Sequence, residues 1–469
     1  MSSMSMTERQ KIAHLLRRFG LGASKAELDE LEPLGAQAAF EKLLNYESQD
    51  EGFPISPWEL CFEEGKQEVY LDPYRTVLWW SLRMLMTRRP LQEKMTLFWH
   101  NHFAVSAAKI EFGPMMLDYL QALRGNATGK FGELLLSVSR TPAMLRWLDG
   151  DENVKGKPNE NFAREVLELF TIGIGNYTEQ DVREAARAFT GWGIRYLLFE
   201  RGGERVQETA RESIVNGRPM VAFSESPDLH DGGVKTVLGA KGNFSGTELL
   251  DLLAKRPETA RRISLKLWEF FAYPKPEPAV VERIAKAFSS SGGDIKATLR
   301  AIVSSPEFFS AKCTRAIVKS PADFTVPIVR QFGLSGFLLG AYGKPKAPTT
   351  PLMKPLRDAS GINFTLMYKQ GMLILFPPDV SGWDWGEAWI TANNMLERMK
   401  VSDVLFGTYD NQQPLAAWLA NLIGQRGPKN SGDVVDLLIE TFDAPISEEK
   451  KAVLVQACEK AGGVGALLQ

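Results

Sequence analysis

Apolar residues recur three and four positions apart along most of the chain, which is the spacing of one face of an α-helix. Between Val182 and Phe189, for example, Ala185 and Ala186 continue this spacing, and Gly191 follows where a left-handed helix end is favoured. Similar patterns predict helices over residues 72–88, 90–103, 111–124, 159–171, 256–271, 276–288, 294–304, 413–424 and 431–461. We therefore expect a mainly α protein, a large multi-helix globular array in which helix packs on helix.

Capping residues support the predicted helix starts. In a capping box, a hydroxyl side chain caps the first turn while an acid or amide three residues later bonds back to the cap. The chain has this spacing at three places: Thr7 with Gln10, Ser24 with Glu27, and Thr178 with Asp181. We expect a helix to begin at each of them.

Two stretches depart from the helical pattern. In residues 192–245 Gly, Ser, Arg and Glu cluster and the periodicity fades, so we interpret this stretch as an irregular insertion with a small β-hairpin, in which Met220–Phe223 is a candidate strand. Residues 340–355 contain several Pro and Lys and predict an exposed loop. The chain is otherwise expected to form one unit, residues 1–469, with residues 401–469 as a C-terminal helical segment.

Composition places the chain among ordinary globular proteins, because 44% of its 469 residues are apolar and 24% are charged. The formal net charge of −2 provides no field to attract nucleic acid or anionic lipid, so neither partner is expected. No apolar run is long enough to span a membrane, and the start at Met1–Gln10 is polar, without a signal peptide pattern. These features predict a soluble, cytoplasmic protein. Cys61, Cys313 and Cys458 are expected to be reduced and buried, because they are few, odd in number and far apart.

The chain has only four histidines, which are His14, His100, His102 and His230. His100 and His102 lie two residues apart within Phe98–Phe103, so on a regular helix they point about 200° apart and cannot face one metal ion. If the segment is extended or frayed at this end, the two histidines can face the same metal ion. The alternative is that one histidine packs among the aromatic residues while the other faces solvent. A metal site also needs a third ligand from elsewhere.

Acidic residues concentrate on the predicted helix 159–171. Projection of this helix places Glu165 at the edge of its apolar stripe and Glu168 one step further round. Arg164 lies four residues before Glu168, so one interpretation is a solvated ion-pair face. The other is a half-buried Glu165 beside a like charge, which is typical of a raised-pKa acid or a metal ligand.

Other motifs have weaker chemical meaning. The acids and amide Asp149, Asp151, Asn153 and Glu160 have the spacing of a calcium loop, but Val154 stands where that loop needs glycine. A polar turn between helices is the alternative. No phosphate-binding Gly-Lys-Ser/Thr motif and no Gly-x-Ser-x-Gly nucleophile motif occurs, which argues against nucleotide hydrolysis and serine esterase chemistry.

A tryptophan-rich segment is the last candidate. Trp383, Trp385 and Trp389 lie close to Asp379, Asp384 and Glu387. Aromatic faces beside carboxylates suit the stacking of a sugar, whereas a plug that fills the core is the alternative.

Several segments taken together resemble one family, the bacterial proteins catalogued as domain of unknown function 1800. The similarity is clearest from His14 to Met399 and rests on segments that occur in this order: residues 15–22, 98–103, 156–165, 177–192, 229–231, 304–308 and 377–383. The resemblance implies one continuous family unit and no particular activity. It also implies a possible protein partner, because members are often encoded beside a second family that resembles sulfatases or alkaline phosphatases.

Two hypotheses of function follow. The first is a metal-assisted hydrolase in which His100 or His102, together with His230 and Glu165, holds a divalent metal ion between helices. The resemblance favours this shared site, because all of these residues lie in or beside the matching segments.

In that hypothesis Glu160 or Glu168 acts as the base, and Arg164 and Glu165 complete the candidate catalytic set. The second hypothesis is a non-catalytic binding or assembly protein that docks a partner enzyme, such as the sulfatase-like protein, or a glycan. Exposed tryptophans at positions 383, 385 and 389 would favour the second hypothesis, and histidines that converge with Glu165 would favour the first.

Overall fold

The computed structural model of the chain describes residues 6–61, 71–197, 220–333, 352–406, 426–444 and 446–464, together with positions 338, 340, 342, 343, 423 and 424. Helices dominate these residues, which confirms the mainly α prediction. The described residues of the first half form eleven α-helices: α1 Glu8–Phe19, α2 Lys25–Leu31, α3 Ala36–Leu44, α4 Pro73–Met86, α5 Pro90–His102, α6 Ala107–Ile110, α7 Gly113–Gly125, α8 Phe131–Ser139, α9 Pro142–Trp147, α10 Glu160–Glu165 and α11 Glu179–Ala188.

Ten more lie in the second half, again counted over the described ranges: α12 Gly246–Ala254, α13 Pro257–Phe271, α14 Pro278–Ser290, α15 Ile295–Val303, α16 Pro321–Gln331, α17 Lys354–Lys369, α18 Ala392–Met399, α19 Val401–Phe406, α20 Ser431–Phe442 and α21 Glu448–Lys460. Short 3₁₀ turns connect several of them: Glu32–Leu34, Tyr46–Ser48, Pro57–Cys61, Gly150–Glu152, Pro227–Leu229 and Gly386–Trp389. All three predicted capping boxes are present, at the starts of α1, α2 and α11. No helix in these described ranges has the length and apolar character needed to cross a membrane.

In the predicted hairpin region, residues 192–197 and 220–245 form two small antiparallel sheets. Strands β1 (Trp192–Tyr196) and β2 (Val221–Glu225) pair with each other, and β3 (Lys235–Val237) pairs with β4 (Ala240–Gly242). Gly191, just before β1, has a φ of 84°, and a Cβ there would lie 2.5 Å from the carbonyl oxygen of Ser226, so the left-handed helix end requires glycine.

Three details of the predicted elements need comment. The helix expected over 431–461 is wrong as one element, because Asp443 takes a left-handed φ of 44° and separates α20 from α21. Most of the helix predicted over 413–424 and most of the loop predicted over 340–355 fall outside the described residues. Of the cysteines expected to be buried, Cys61 and Cys313 are buried, but Cys458 is partly exposed.

Helix α5 lies at the centre of the apolar core and carries the first two candidate histidines. Every residue of α5 except Gln92 is buried, and the helix packs against α7. Because a helix that is buried all round brings its polar side chains into the interior, each of them needs a partner there.

The acidic helix predicted over 159–171 changes its geometry halfway. It is α-helical only over α10 and continues as a π-helix, Val166–Phe170. The hydroxyl of Thr171 donates a hydrogen bond to the carbonyl oxygen of Val166 at 2.6 Å, five residues back, which closes the widened turn. Single π turns occur often at functional sites, so this turn marks a place to look for one.

Candidate functional site

His100 is a fully buried histidine with both ring nitrogens in use. Tyr119 donates its hydroxyl to the carbonyl oxygen of Phe103, so Nδ1 of His100 donates to the Tyr119 oxygen at 2.9 Å. The backbone N–H of Leu375 donates to Nε2 of His100, also at 2.9 Å. Burial lowers the pKa of His100 to about 3. The ring is therefore neutral, with no free nitrogen for a metal ion.

His102 faces the other side of α5, as the helical geometry predicts. Its Nε2 lies 3.1 Å from the carbonyl oxygen of Phe170, which can only accept, so Nε2 carries the proton. Nδ1 then accepts a hydrogen bond from Nζ of Lys266 at 3.1 Å. Burial, together with the positive charges of Lys266 and Arg262, keeps the pKa of His102 well below its usual value.

The other two histidines lie at separate places in the fold. His230 donates from Nδ1 to the carbonyl oxygen of Thr190 at 2.9 Å, beside the small sheets. Nε2 of His14 lies 3.5 Å from Sγ of Cys313, and burial lowers the pKa of His14 to about 3. Each histidine thus has its own local partners.

The hypothesised metal ligands do not form a metal site. Within the described ranges, no group of three or more His, Cys, Asp or Glu side chains is placed to hold a metal ion. Of the four hypothesised ligands, His100 and His102 have both ring nitrogens bonded to protein groups, and neither His230 nor Glu165 belongs to a group of three such side chains in the part of the chain that the structure describes. The donor set therefore does not fit a divalent ion.

The acidic residues around the π-helix have three different environments. Glu160 and Glu179 both pair with Arg164, at 3.2 and 2.7 Å, which ties α10 to the start of α11. Glu168 accepts a hydrogen bond from the hydroxyl of Tyr177. Glu165 is half-buried and has no hydrogen-bond or ion-pair partner among the residues that the structure describes.

Burial is the main cause that raises the pKa of Glu165, and the negative charge of Glu168 raises it further, while Arg164 opposes them. A carboxyl group with this environment keeps its proton to higher pH than an ordinary glutamate. Glu165 and Glu168 therefore form a pair of carboxyl groups, three residues apart, whose surroundings differ.

Lys266 is the residue of this region that the sequence did not indicate. Desolvation is the main cause that lowers its pKa to about 7; Arg262 lowers it further, while Glu269 raises it. In the sequence Lys266 is one of several basic residues on an ordinary amphipathic helix, and only the three-dimensional contact with His102 distinguishes it.

One face of α13 connects these groups. Arg262, Lys266 and Phe270 are four residues apart and lie on the same side of the helix, about 6 Å from one to the next. Nε and Nη2 of Arg262 donate to the carbonyl oxygen of Leu169 in the π-helix, at 3.3 and 3.2 Å. We call Arg262, Lys266, Phe270 and the π-helix with Glu165 and Glu168 the α13 site.

The tryptophan-rich segment borders the far end of this site. The ring of Trp385 meets Phe270 edge-on with a centroid distance of 5.1 Å and is 47% exposed. Trp383 and Trp389 are buried, so the three tryptophans do not form one exposed platform. Together with Phe270 they line a cavity of about 20 Å³, room for about one water molecule.

The calcium-loop residues take part in ordinary turn contacts. Asp149 pairs with Lys109 at 2.6 Å, and Asp151 pairs with Arg146 at 3.1 Å. Asn153 is buried and donates to the carbonyl oxygen of Ala186 at 2.9 Å. These contacts support the alternative of a polar turn between helices.

The fold and this site define a mainly α protein with two carboxyl groups, a tyrosine and a buried amine where α5, α13 and a π-helix meet. The chain belongs to the family described as Protein of unknown function (DUF1800), which matches residues 14–465 and so confirms the resemblance found in the sequence. Neither the curated proteins nor the solved structures gave a match. The comparisons therefore identify the family and carry over no activity.

Proposed function

We propose that the protein is a hydrolase-type enzyme whose proton-transfer groups are Glu165 and Glu168 at the π-helical turn. The observation that carries this proposal is the pair of carboxyl groups in unlike environments. Where the surroundings of two nearby acids differ, one can donate a proton while the other accepts one. Glu165 serves as the general acid, since its pKa is raised, and Glu168 serves as the general base.

The neighbouring polar residues have positioning roles in this proposal. Tyr177 holds the Glu168 carboxylate through its hydroxyl. Arg164 joins Glu160 to Glu179 and so fixes the direction of α10. Metal assistance is not part of the proposal, because the candidate ligands do not fit a divalent ion.

The test is a panel of chromogenic esters, phosphate esters and glycosides, assayed with the wild type and with Glu165→Gln and Glu168→Gln. Loss of an acid or base group typically costs about 10²-fold to 10⁴-fold in rate. The matched control is Glu133→Gln on α8, an exposed glutamate away from the site. A substrate whose turnover falls in both site variants and not in the control supports the proposal. No turnover of any substrate, or equal turnover in all four proteins, would contradict it.

A second candidate function is the binding of a glycan, and the exposed ring of Trp385 favours it. An aromatic ring that is 47% exposed and fixed edge-on against Phe270 is a rigid surface for stacking a sugar. Calorimetric titration with oligosaccharides tests this function, with Trp385→Ala as the variant and Tyr368→Ala, another exposed aromatic residue, as the control. Heat of binding that Trp385→Ala abolishes supports it, and the absence of binding contradicts it. The sulfatase-like partner stays a prediction from the family.

A further inference from the structure

A cleft of about 700 Å³ lies between the N-terminal helices and α20, and it shares no lining residue with the α13 site. Its walls come from α2, α3, the turn between α4 and α5, the end of α16 and one side of α20. Small-molecule sites in proteins have volumes of about 300–1,000 Å³. Apolar side chains form much of the lining: Leu31, Leu43, Met86, Pro90, Phe332 and Leu437. The cleft therefore has room for a small ligand with an apolar body.

Arg330, at the end of α16, lines this cleft with only part of its guanidinium in use. Nη1 donates to the carbonyl oxygens of Met84, Leu85 and Thr87, at 3.0, 3.1 and 3.0 Å. Nε and Nη2 have no hydrogen-bond partner among the residues that the structure describes, although the side chain is only 10% exposed. A carboxylate oxygen of Glu27 lies 3.6 Å from Nη2, and that carboxylate is already bonded in the capping box of α2. Buried donors in this state favour an acceptor supplied by a ligand.

A second guanidinium, that of Arg88, lines the cleft close to Arg330. Arg88 follows directly after Thr87, whose carbonyl oxygen binds Arg330, and its side chain is 62% exposed. Its Nη1 lies 3.9 Å from the exposed carboxylate of Asp50, and such surface pairs are weak. The lysines of the cleft form closer ion pairs: Lys25–Asp29 at 2.7 Å, Lys25–Glu440 at 3.1 Å and Lys42–Glu30 at 2.5 Å. Positive charge that protein carboxylates do not closely match is therefore concentrated at Arg88 and Arg330.

We propose that the cleft binds an amphipathic carboxylic acid, with its carboxylate on Arg330 beside Arg88 and its apolar body along Met86 and Leu437. The Nε and Nη2 atoms of a guanidinium form an edge with two parallel N–H donors, which fits both oxygens of a carboxylate. Each methylene group that the apolar wall buries strengthens binding, so affinity should increase with chain length. This binding goes beyond the acid–base function proposed above and does not depend on it.

The experiment is calorimetric titration of the full-length protein with butanoate, octanoate and octanamide at pH 7. Octanoate should bind in one site. Butanoate should bind at least about tenfold more weakly, because it lacks four of the methylene groups. Octanamide has the same chain without the charge, and it should also bind at least about tenfold more weakly, since hydrogen bonds to a charged acceptor are the stronger ones.

One variant and a matched control locate the binding. Arg88→Glu places a negative charge at the exposed edge of the cleft, so the affinity for octanoate should fall at least about tenfold. Arg283→Glu on α14, another partly exposed arginine and one that does not line the cleft, should bind octanoate as the wild type does. Equal affinities for octanoate and octanamide, or an unchanged affinity in Arg88→Glu, would overturn the inference. Absence of binding by octanoate at millimolar concentration would overturn it as well.

Discussion

The amine of Lys266 predicts an unusual dependence of stability on pH. The folded pKa of about 7 lies below the unfolded value of 10.5, so the folded state binds fewer protons than the unfolded state between these values. Stability therefore rises with pH from about 7 and levels off above the unfolded pKa. Within this window each pH unit contributes up to about 1.4 kcal/mol, so the gain from pH 7 to pH 9 is about 2 kcal/mol.

The assay is urea unfolding of the wild type and of Lys266→Met at several pH values from 6 to 9. Subtracting the two free energies of unfolding cancels the groups that titrate equally in both proteins. The wild type should gain about 2 kcal/mol relative to the variant over pH 7–9. Lys286→Met serves as the control and should follow the wild type at every pH. A constant difference between wild type and Lys266→Met would refute the assignment of a mainly neutral amine.

Two further substitutions test the centre of the fold. His100→Ala leaves the Tyr119 hydroxyl and the Leu375 N–H without their partner and opens a cavity. We therefore expect the free energy of unfolding in urea to fall by about 3 kcal/mol. A fall below about 1 kcal/mol would show that these bonds do not hold the core. Gly382→Ala places a Cβ against Oδ1 of Asn101 at a φ of 85°, so the thermal midpoint should fall. An unchanged midpoint would contradict the close approach of these segments.

The sequence was sufficient for the helices because their signals are local. Apolar spacing and the capping boxes at Thr7, Ser24 and Thr178 predicted where helices begin, and the structure has those starts. The break at Asp443 was missed because the apolar pattern continues on both sides of it, although Pro445, two residues further on, is a common signal of a helix end.

The site could be predicted only in part. One of the two interpretations from helical projection was a half-buried Glu165 beside the like charge of Glu168, and the structure places Glu165 half-buried with a raised pKa. The partners of His100 and His102 could not be predicted, because Tyr119, Leu375 and Lys266 come from distant parts of the chain. A ring nitrogen looks like a metal ligand in a sequence until such partners are known.

The π-helix was also beyond the sequence. Thr171 closes the widened turn through a bond to Val166, but a threonine at the end of a helical pattern is common and has no specific meaning by itself. Lys266 could not be recognised from the sequence either, because its position in the helical pattern is that of any residue on a helix surface. In both cases long-range packing, and not local pattern, gives the residue its chemical character.

The coupling of Glu165 and Glu168 is the central claim, and carboxyl titration by ¹³C NMR tests it most directly. With selectively labelled glutamate, the resonance of Glu165 is assigned by its loss in Glu165→Gln and followed with pH in the wild type and in Glu168→Gln. We predict a raised pKa of Glu165 in the wild type and a lower value once the charge of Glu168 is removed. An ordinary pKa for Glu165 that does not change in Glu168→Gln would contradict an acid–base pair at the π-helical turn.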